Sequence, residues 1–516
     1  MLAFLLVCAL GGTGAACVSL PKDLERIAST AYSQPQETNL GRAAASVASA
    51  HEAQSGFLVL DSGKEAFLER LALIEAADRS IDLQYYIWNS DLTGRYVAER
   101  IYAAADRGVR VRILLDDINT NDRDGVLASL DSHPGIEIRI YNPTASRSGV
   151  GRWLGFVGDF AKVNRRMHNK SLTVDGAATI VGGRNIGDEY FDASTKLNFR
   201  DRDLLAAGPV VAQVEEAFDV FWNSPWAYPI TALTAQRLTA EELNARRSRA
   251  IASTDTLARL GYQPIRSVAD GQAHFHAVLG QLVWAPARLV CDTPPQTNDL
   301  KRTPIPKAVA RALGDLASGA QHEVLIESAY FILDDPALER FAGLKTRGVQ
   351  LRALTNSLAS NDLATNHSGY ARRRKAMLQA GLELHEIRPD AASCRTLVAN
   401  NCAQGAAFGL HAKSAVFDRR SVYVGSFNVN LRSAFLNTET ALIIESPELA
   451  ERIAKSIEEN MRAENSWQVE LDDGGSVSWI TVRDGAQEVS THEPATGFWR
   501  RTSAAFFGLF PLELYL

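Results

Sequence analysis

The segments Met167-His168-Asn-Lys170-Ser-Leu-Thr-Val-Asp175 and Leu410-His411-Ala-Lys413-Ser-Ala-Val-Phe-Asp418 are two copies of one pattern, H-x-K-x4-D. Each lettered residue of the second copy lies 243 positions after its counterpart (411 − 168). The same offset joins Gly182-Gly183-Arg184-Asn185 to Gly425-Ser426-Phe427-Asn428. One such short motif is a weak signal, whereas two in register with matched Gly and Asn are a strong one. The chain is therefore a duplication, and its two halves can fold alike.

The surrounding pattern agrees. Glu65 to Ala77 places Phe67, Leu71 and Ile74 on one helical face. Ile81 to Trp88 reads as a strand, and Gly94 to Arg107 as a helix stopped by Gly108. Val109 to Leu115 alternates apolar and polar residues as a strand does. The order returns as a strand over Val324 to Ile332, a helix over Pro336 to Arg347, then Gly348 and a strand over Val349 to Leu354. Strands alternating with helices predict α/β layers. At 516 residues the chain suits two domains with additions. The expected division is a leader-like segment and linker over 1–55, a first α/β domain over 56–223, a helical connector without strands over 224–273, a second α/β domain over 274–465, and an extension over 466–516.

A hydrophobic content of 46% and a charged content of 22% describe a globular protein. The net charge of −6 argues against a protein built to coat nucleic acid. Two basic clusters, Arg165-Arg166 and Arg372-Arg-Arg-Lys375, offer places to hold phosphates, although a solvated helix face is the simpler reading of the second. The apolar run Leu2 to Leu10 is shorter than the roughly 20 residues needed to span a bilayer, and fits a cleaved export segment. Gly14-Ala15-Ala16-Cys17 resembles a lipoprotein cleavage site, with Cys17 as the lipidated residue. Besides Cys8 and Cys17 there are Cys291, Cys394 and Cys402. Cys394 and Cys402 are close enough to bridge in an oxidising compartment, and buried thiols are the alternative. No C-x2-C pair is present, so no structural zinc site is expected. The aromatic and basic end, Phe498-Trp499-Arg500-Arg501 with Phe506, Phe507, Leu509 and Phe510, either meets a membrane interface or packs back on its own domain.

Residues i and i+2 of a strand share a face, so His168 projects with Lys170 and His411 with Lys413. Asp175-Gly176 signals a hairpin, whose return strand brings Asn185 back beside the pair. Asn428 does the same in the second half. An imidazole, an ammonium and an amide can together serve a phosphate, the last two stabilising charge on its equatorial oxygens. One histidine can attack phosphorus and form a covalent intermediate. The other can give its proton to the departing alkoxide and take one from the acceptor. Each imidazole needs its second nitrogen anchored, and Asp201 and Glu439, each eight positions before a proline, are the candidates. Asp175 and Asp418 sit at turns, where a catalytic and a structural role are both open.

Taken with Gln84-Tyr-Tyr-Ile-Trp88, Asp116-Asp117, Arg165-Arg-Met-His-Asn-Lys170 and Asn437-Thr-Glu439, the motifs resemble the phospholipase D superfamily over about 56–465, and within it the C-type bacterial cardiolipin synthases. The resemblance implies two α/β sandwich domains related by a pseudo-twofold axis and sharing one site without metal or cofactor. It implies phosphatidyl transfer between phospholipids, with phosphatidylglycerol as a typical donor; the leader-like segment and aromatic end point to a membrane surface of the bacterial cell envelope, and the charge to no nucleic-acid partner. Carried over, His168 is the nucleophile and His411 the general acid and base. Hydrolytic phospholipase D activity and a nuclease of the same superfamily are the alternatives, because the motif does not distinguish the acceptor.

Overall fold

The computed structural model describes residues 20–515 except 22–23, 25, 121–122, 148–159, 264, 297–304, 398–404, 484 and 511–512. Two large mixed sheets dominate it. Across the first sheet the strands run Val283–Ala285, Ser55–Leu60, Asp203–Ala207, Ala178–Gly182, Ser171–Val174, Ser80–Tyr85, Arg110–Asp116, Ile136–Tyr141 and Ala227–Pro229. Across the second they run Ala287–Cys291, Thr440–Glu445, Ser421–Gly425, Lys413–Phe417, Glu323–Ser328, Gln350–Asn356, Glu383–Ile387, Ser466–Leu471, Val477–Arg483 and Ala486–Ser490. The six strands from Asp203–Ala207 to Ile136–Tyr141 repeat, in order and direction, as those from Thr440–Glu445 to Glu383–Ile387. The duplication in the sequence is thus a duplication of fold.

The sheets face each other through one apolar layer. Phe57, Val59, Val181 and Leu204 of the first sheet join Leu325, Val416, Val422 and Leu442 of the second in a single buried cluster. Pro447–Met461 lays Leu449, Ile453 and Ile457 into the same layer. Each sheet carries a separate core on its outer face, under helices such as Gly63–Ala76 and Leu92–Asp106 in one half and Ala308–Gly319 and Asp335–Thr346 in the other. Sheets covered on both faces need apolar residues throughout, which explains strands such as Gly56-Phe-Leu-Val-Leu60. The helices are started and stopped by equivalent residues. Asp91 Oδ1 accepts from Gly94 N and Asp334 Oδ1 from Ala337 N, and Gly108 (φ +95°) and Gly348 (φ +85°) end the helices that follow.

Several details depart from the sequence expectations. Two strands are shorter than expected, because Trp88 bridges Ile186 and Phe331 bridges Val429, peeling both strand ends off towards the loops after Asn185 and Asn428. The 224–273 stretch is largely helical but contributes one strand, Ala227–Pro229, at the edge of the first sheet where proline is tolerated. Residues 466–490 are no loose extension, since their three strands continue the second sheet. The arginine run is a solvated face only in part, with Arg372 and Lys375 exposed. Arg374 is buried between Glu386 and Glu493, at 2.7 Å from each, and Arg372 meets Glu513 at 3.2 Å. Arg166 is likewise buried against Asp116. Cys394 is disulfide-bonded, whereas Cys291 is a free thiol. Cys402, Cys17 and the leader-like segment lie outside the described residues. Among the described residues no helix is long and apolar enough to cross a membrane.

Candidate active site

Both histidines stand in extended segments just ahead of a strand, not within it as expected: Ser171 opens the strand after His168, and Lys413 the one after His411. The cause is capture of their backbones by the opposite half. His168 N donates to Thr438 O at 2.9 Å, and Thr438 N to Arg166 O at 2.9 Å. His411 N donates to Arg200 O at 2.7 Å, beyond a parallel pairing of Ala407–Leu410 with Leu197–Arg200. Thr438 and Arg200 directly precede Glu439 and Asp201. The carboxylates therefore cross over: His168 Nδ1 lies 2.8 Å from Glu439 Oε2, and His411 Nδ1 lies 2.5 Å from Asp201 Oδ2. Each half steadies its own approach as well. Asp116 Oδ2 accepts from Met167 N and Asn356 Oδ1 from Leu410 N, both at 2.8 Å.

The two couples occupy one buried site. Each lysine donates to the carbonyl of its own histidine, Lys170 at 2.5 Å, and retains N–H donors for a ligand. Their charges reach across the halves. Burial lowers the His168 pKa to about 4, with Lys170 and Lys413 adding to the fall and Glu439 opposing it. Burial and the adjacent Lys413 ammonium hold His411 down at about 3 against the pull of Asp201. Burial also brings Lys170 to about 7 and Lys413 to about 8, resisted chiefly by Glu439 and Asp201 respectively. At neutral pH both imidazoles are thus uncharged bases, and their Nδ1 anchors leave Nε2 for a substrate.

The other motif residues separate. Asn185 Oδ1 accepts from Ile87 N at 3.1 Å, and the Tyr190 ring stands edge-on to His411 at 5.1 Å. Asn428 Oδ1 is buried with no hydrogen-bond partner among the described residues. Asp175 and Asp418 lie at the far ends of their hairpins, away from the histidines, with φ of +56° and +51°. The Asp175 carboxylate accepts from the backbone N–H groups of Asp78, Arg79 and Ser80 at 2.7–2.8 Å. Asp418 does the same for Gln321, His322 and Glu323. Both are turn residues that anchor the chain entering the central strand of each sheet.

Four further residues belong to the site, with roles that the sequence does not assign. Ser426 donates to Glu439 Oε2 at 2.5 Å and accepts from Thr440 N. Its counterpart is Gly183, where a Cβ would lie 2.1 Å from Asp201 Oδ1, so only glycine fits there. Asp292 Oδ2 accepts from Glu439 N at 3.0 Å and fixes the backbone of that carboxylate. Tyr86 stands edge-on to His168 at 4.8 Å, with the Lys170 ammonium 5.3 Å from its ring centre. Asn356 carries the role that Asp116 has in the first half. Ser426 stands in the repeated motif where the first half has Gly183, and Tyr86 lies in the Gln84-Tyr-Tyr-Ile-Trp88 segment, whereas Asp292 and Asn356 carry no signal in the sequence.

Two neutral imidazoles, each oriented by an ionised carboxylate, beside two lysines can attack a phosphodiester and manage its protons without any further residue. The family described as cardiolipin synthase, PLD-like domain, matches residues 71–222 and 313–461. Cardiolipin synthase C of Escherichia coli (strain K12) is 38% identical over 480 residues, spanning 92% of this chain and 99% of that protein. An uncharacterized protein of Helicobacter pylori (strain ATCC 700392 / 26695) is 32% identical over 473 residues, or 90% and 91% of the two chains. The crystal structure of phosphatidylserine synthase from Haemophilus influenzae Rd KW20 shares the fold, with a TM-score of 0.57 at 14% identity over 92% of this chain and 100% of that one. The chain belongs to the cardiolipin synthase, PLD-like domain family.

Proposed function

We propose that this chain is a phosphatidyltransferase that moves a phosphatidyl group between phospholipids through a phosphohistidine on His168. The observation that carries this reading is the crossed pair of His–carboxylate couples in one buried site. His168 Nε2 attacks phosphorus, a P–N bond forms, and the P–O bond to the headgroup alkoxide breaks. His411 protonates that alkoxide. The bound phosphodiester brings a negative charge that offsets Lys170 and Lys413, and so raises the proton affinity of His411 when an acid is needed. In the second step His411 takes the proton of an acceptor hydroxyl, whose oxygen displaces His168. Phosphatidylglycerol is the proposed donor and a lipid hydroxyl the proposed acceptor, by likeness to the cardiolipin synthases.

The reaction is read as metal-independent because the two lysines can carry the charge that a cation would otherwise offset. Among the described residues no group of three His, Cys, Asp or Glu side chains is placed to hold a metal. Turnover that chelator abolishes and a divalent ion restores would remove this part of the reading. A location on a membrane of the cell envelope, with anchoring at Cys17, is proposed from the leader-like segment. The exposed C-terminal aromatics support contact with a membrane surface.

The test is to express the chain, and its His168→Ala variant, in cells lacking other cardiolipin synthases and to read total lipids by mass spectrometry. Cardiolipin from the first and none from the second is expected. No new phospholipid from either would sink the proposal.

A further inference from the structure

An apolar cavity comes within one side chain, Tyr86, of His168. Tyr86, which packs edge-on to that imidazole, also lines the cavity, as does Asp116, which holds the backbone of Met167. From there the space runs beneath the Leu92–Asp106 helix to Leu130 and Ile136. Counted together with the open solvent at its mouth, its empty space is about 1150 Å³. Ile136 pairs with Val111 and Tyr141 with Asp116, so the cavity follows the strand for five residues (116 − 111). At ~3.3 Å per residue that is about 17 Å. One leaflet of a bilayer whose hydrocarbon core is roughly 30 Å thick holds chains about 15 Å long. The lengths match.

The walls match too. Ile113, Leu115 and Ile138 form the floor, and Ala98 and Leu127 the sides, while polar residues such as Asn119 and Arg123 gather near the Tyr86 end. The roof is the Ala240–Ala252 helix, which offers little apolar surface beyond Leu243 and Ala250. It is held off the floor by charge: Arg247 meets Glu99 at 2.9 Å and Asp106 at 2.9 Å, and lies over Tyr102 at 3.9 Å. A roof fixed by ion pairs does not collapse into the space beneath it, and an apolar cavity of this kind takes an apolar guest rather than water.

We propose that this cavity receives an acyl chain of the phospholipid whose phosphate is attacked by His168. The assignment rests on the lipid reading of the active site. Tyr86 is the turning point, with the phosphate on its histidine side and the hydrocarbon on its cavity side.

The test uses the full chain and phosphatidylglycerol carrying a diazirine midway along one acyl chain. After photolysis, peptide mass spectrometry should place adducts on Leu127, Ile138 or Leu243. Adducts confined to Phe498–Phe510, or to the second half around Phe341 and Phe427, overturn the proposal. A fatty acid with the same diazirine serves as a parallel arm; cavity labelling by the fatty acid but not by the lipid also overturns it. Ala98→Trp and, separately, Leu127→Trp fill the space. Each should lower the kcat/KM ratio of a long-chain to a six-carbon-chain phosphatidylglycerol by about tenfold or more. An unchanged ratio in both folded variants overturns the assignment. Turnover of phosphatidylglycerol without cavity labelling refutes the cavity alone. Cavity labelling without any turnover refutes the proposed function and leaves the cavity standing.

Discussion

His168 and Glu439 lie 271 positions apart and on opposite halves of the chain, yet their side chains meet at 2.8 Å. Asp201 and His411 repeat the relation in reverse. Neither half therefore holds a complete histidine–carboxylate couple, which gives the duplication a physical reason to persist as one chain. The backbone bonds of His168 to Thr438 and of His411 to Arg200 fix the crossing independently of the side chains.

This geometry predicts what removing each carboxylate does. In Glu439→Gln an amide N–H can donate to Nδ1 of His168, which moves the imidazole proton to Nε2 and occupies the attacking lone pair. A wrong tautomer in an analogous couple costs about 10⁴-fold in kcat, and a loss of similar order is expected here. The phosphoenzyme burst should disappear with it. In Asp201→Asn the acid is impaired instead. A phosphodiester with a good leaving group should recover the first step in Asp201→Asn and not in Glu439→Gln. Equal recovery in both would break the division of labour.

The pH dependence follows from the charges. His168 must be neutral to attack, and its pKa of about 4 places the acid limb of kcat/KM there, with the rate rising as pH increases through it. The lysines must be charged, and Lys170, at about 7, discharges first as pH rises. The profile should therefore climb near pH 4 and, where the bound phosphodiester keeps His411 protonated for its part as acid, fall from about pH 7. Arginine stays protonated throughout. Lys170→Arg should move the alkaline limb up towards the value of about 8 set by Lys413. An alkaline limb that does not move in this variant assigns it to another group.

The turn aspartates should behave as structural residues. Asp175 is fully buried and serves three backbone N–H groups, so Asp175→Ala leaves them unpaired at a cost of about 2–4 kcal/mol. Asp418 is partly open to water, which can replace its carboxylate, so Asp418→Ala should cost about 1 kcal/mol. Denaturant midpoints check the order. The turnover of each folded variant should stay within the same decade as the parent chain, and a far larger fall in kcat for Asp175→Ala would return it to the chemistry.

The offset of 243 residues made the duplicated core, both histidines and both lysines readable from the sequence, and the shared distance of eight positions to a proline pointed to both orienting carboxylates. It could not say which carboxylate serves which histidine. A repeat shows that two positions are equivalent, whereas the pairing depends on how Leu197–Arg200 and Ala407–Leu410 meet in space. Asp292 was hidden for the same reason, since it acts on a residue far away in the chain. The strands after Ser466 were hidden differently. Asp472-Asp-Gly-Gly475 is a hairpin signal between Trp467-Gln-Val469 and Trp479-Ile-Thr481, and it was overlooked because the first half has no counterpart to it.

The C-terminal segment supports the last prediction. Phe498, Trp499, Phe506, Leu509 and Phe510 are all exposed, Trp499 at 79%, and Leu363 lies exposed nearby. The Phe498–Phe507 helix is held in place by Arg500, which donates to Leu358 O and Asn361 O. Asn361 adjoins Asp362, whose carboxylate accepts from the Tyr330 hydroxyl at 2.9 Å. A cluster of aromatics with Arg501 beside it suits the interface of an anionic bilayer. The chain should float with vesicles containing phosphatidylglycerol, and the triple variant Trp499→Ala, Phe506→Ala, Leu509→Ala should lose most of that binding. These side chains leave the core intact, so the variant should keep the parent unfolding midpoint. Its turnover of a soluble short-chain phosphatidylglycerol should persist while turnover of vesicle lipid falls. Flotation that survives the triple substitution would place the membrane-contacting surface elsewhere on the chain.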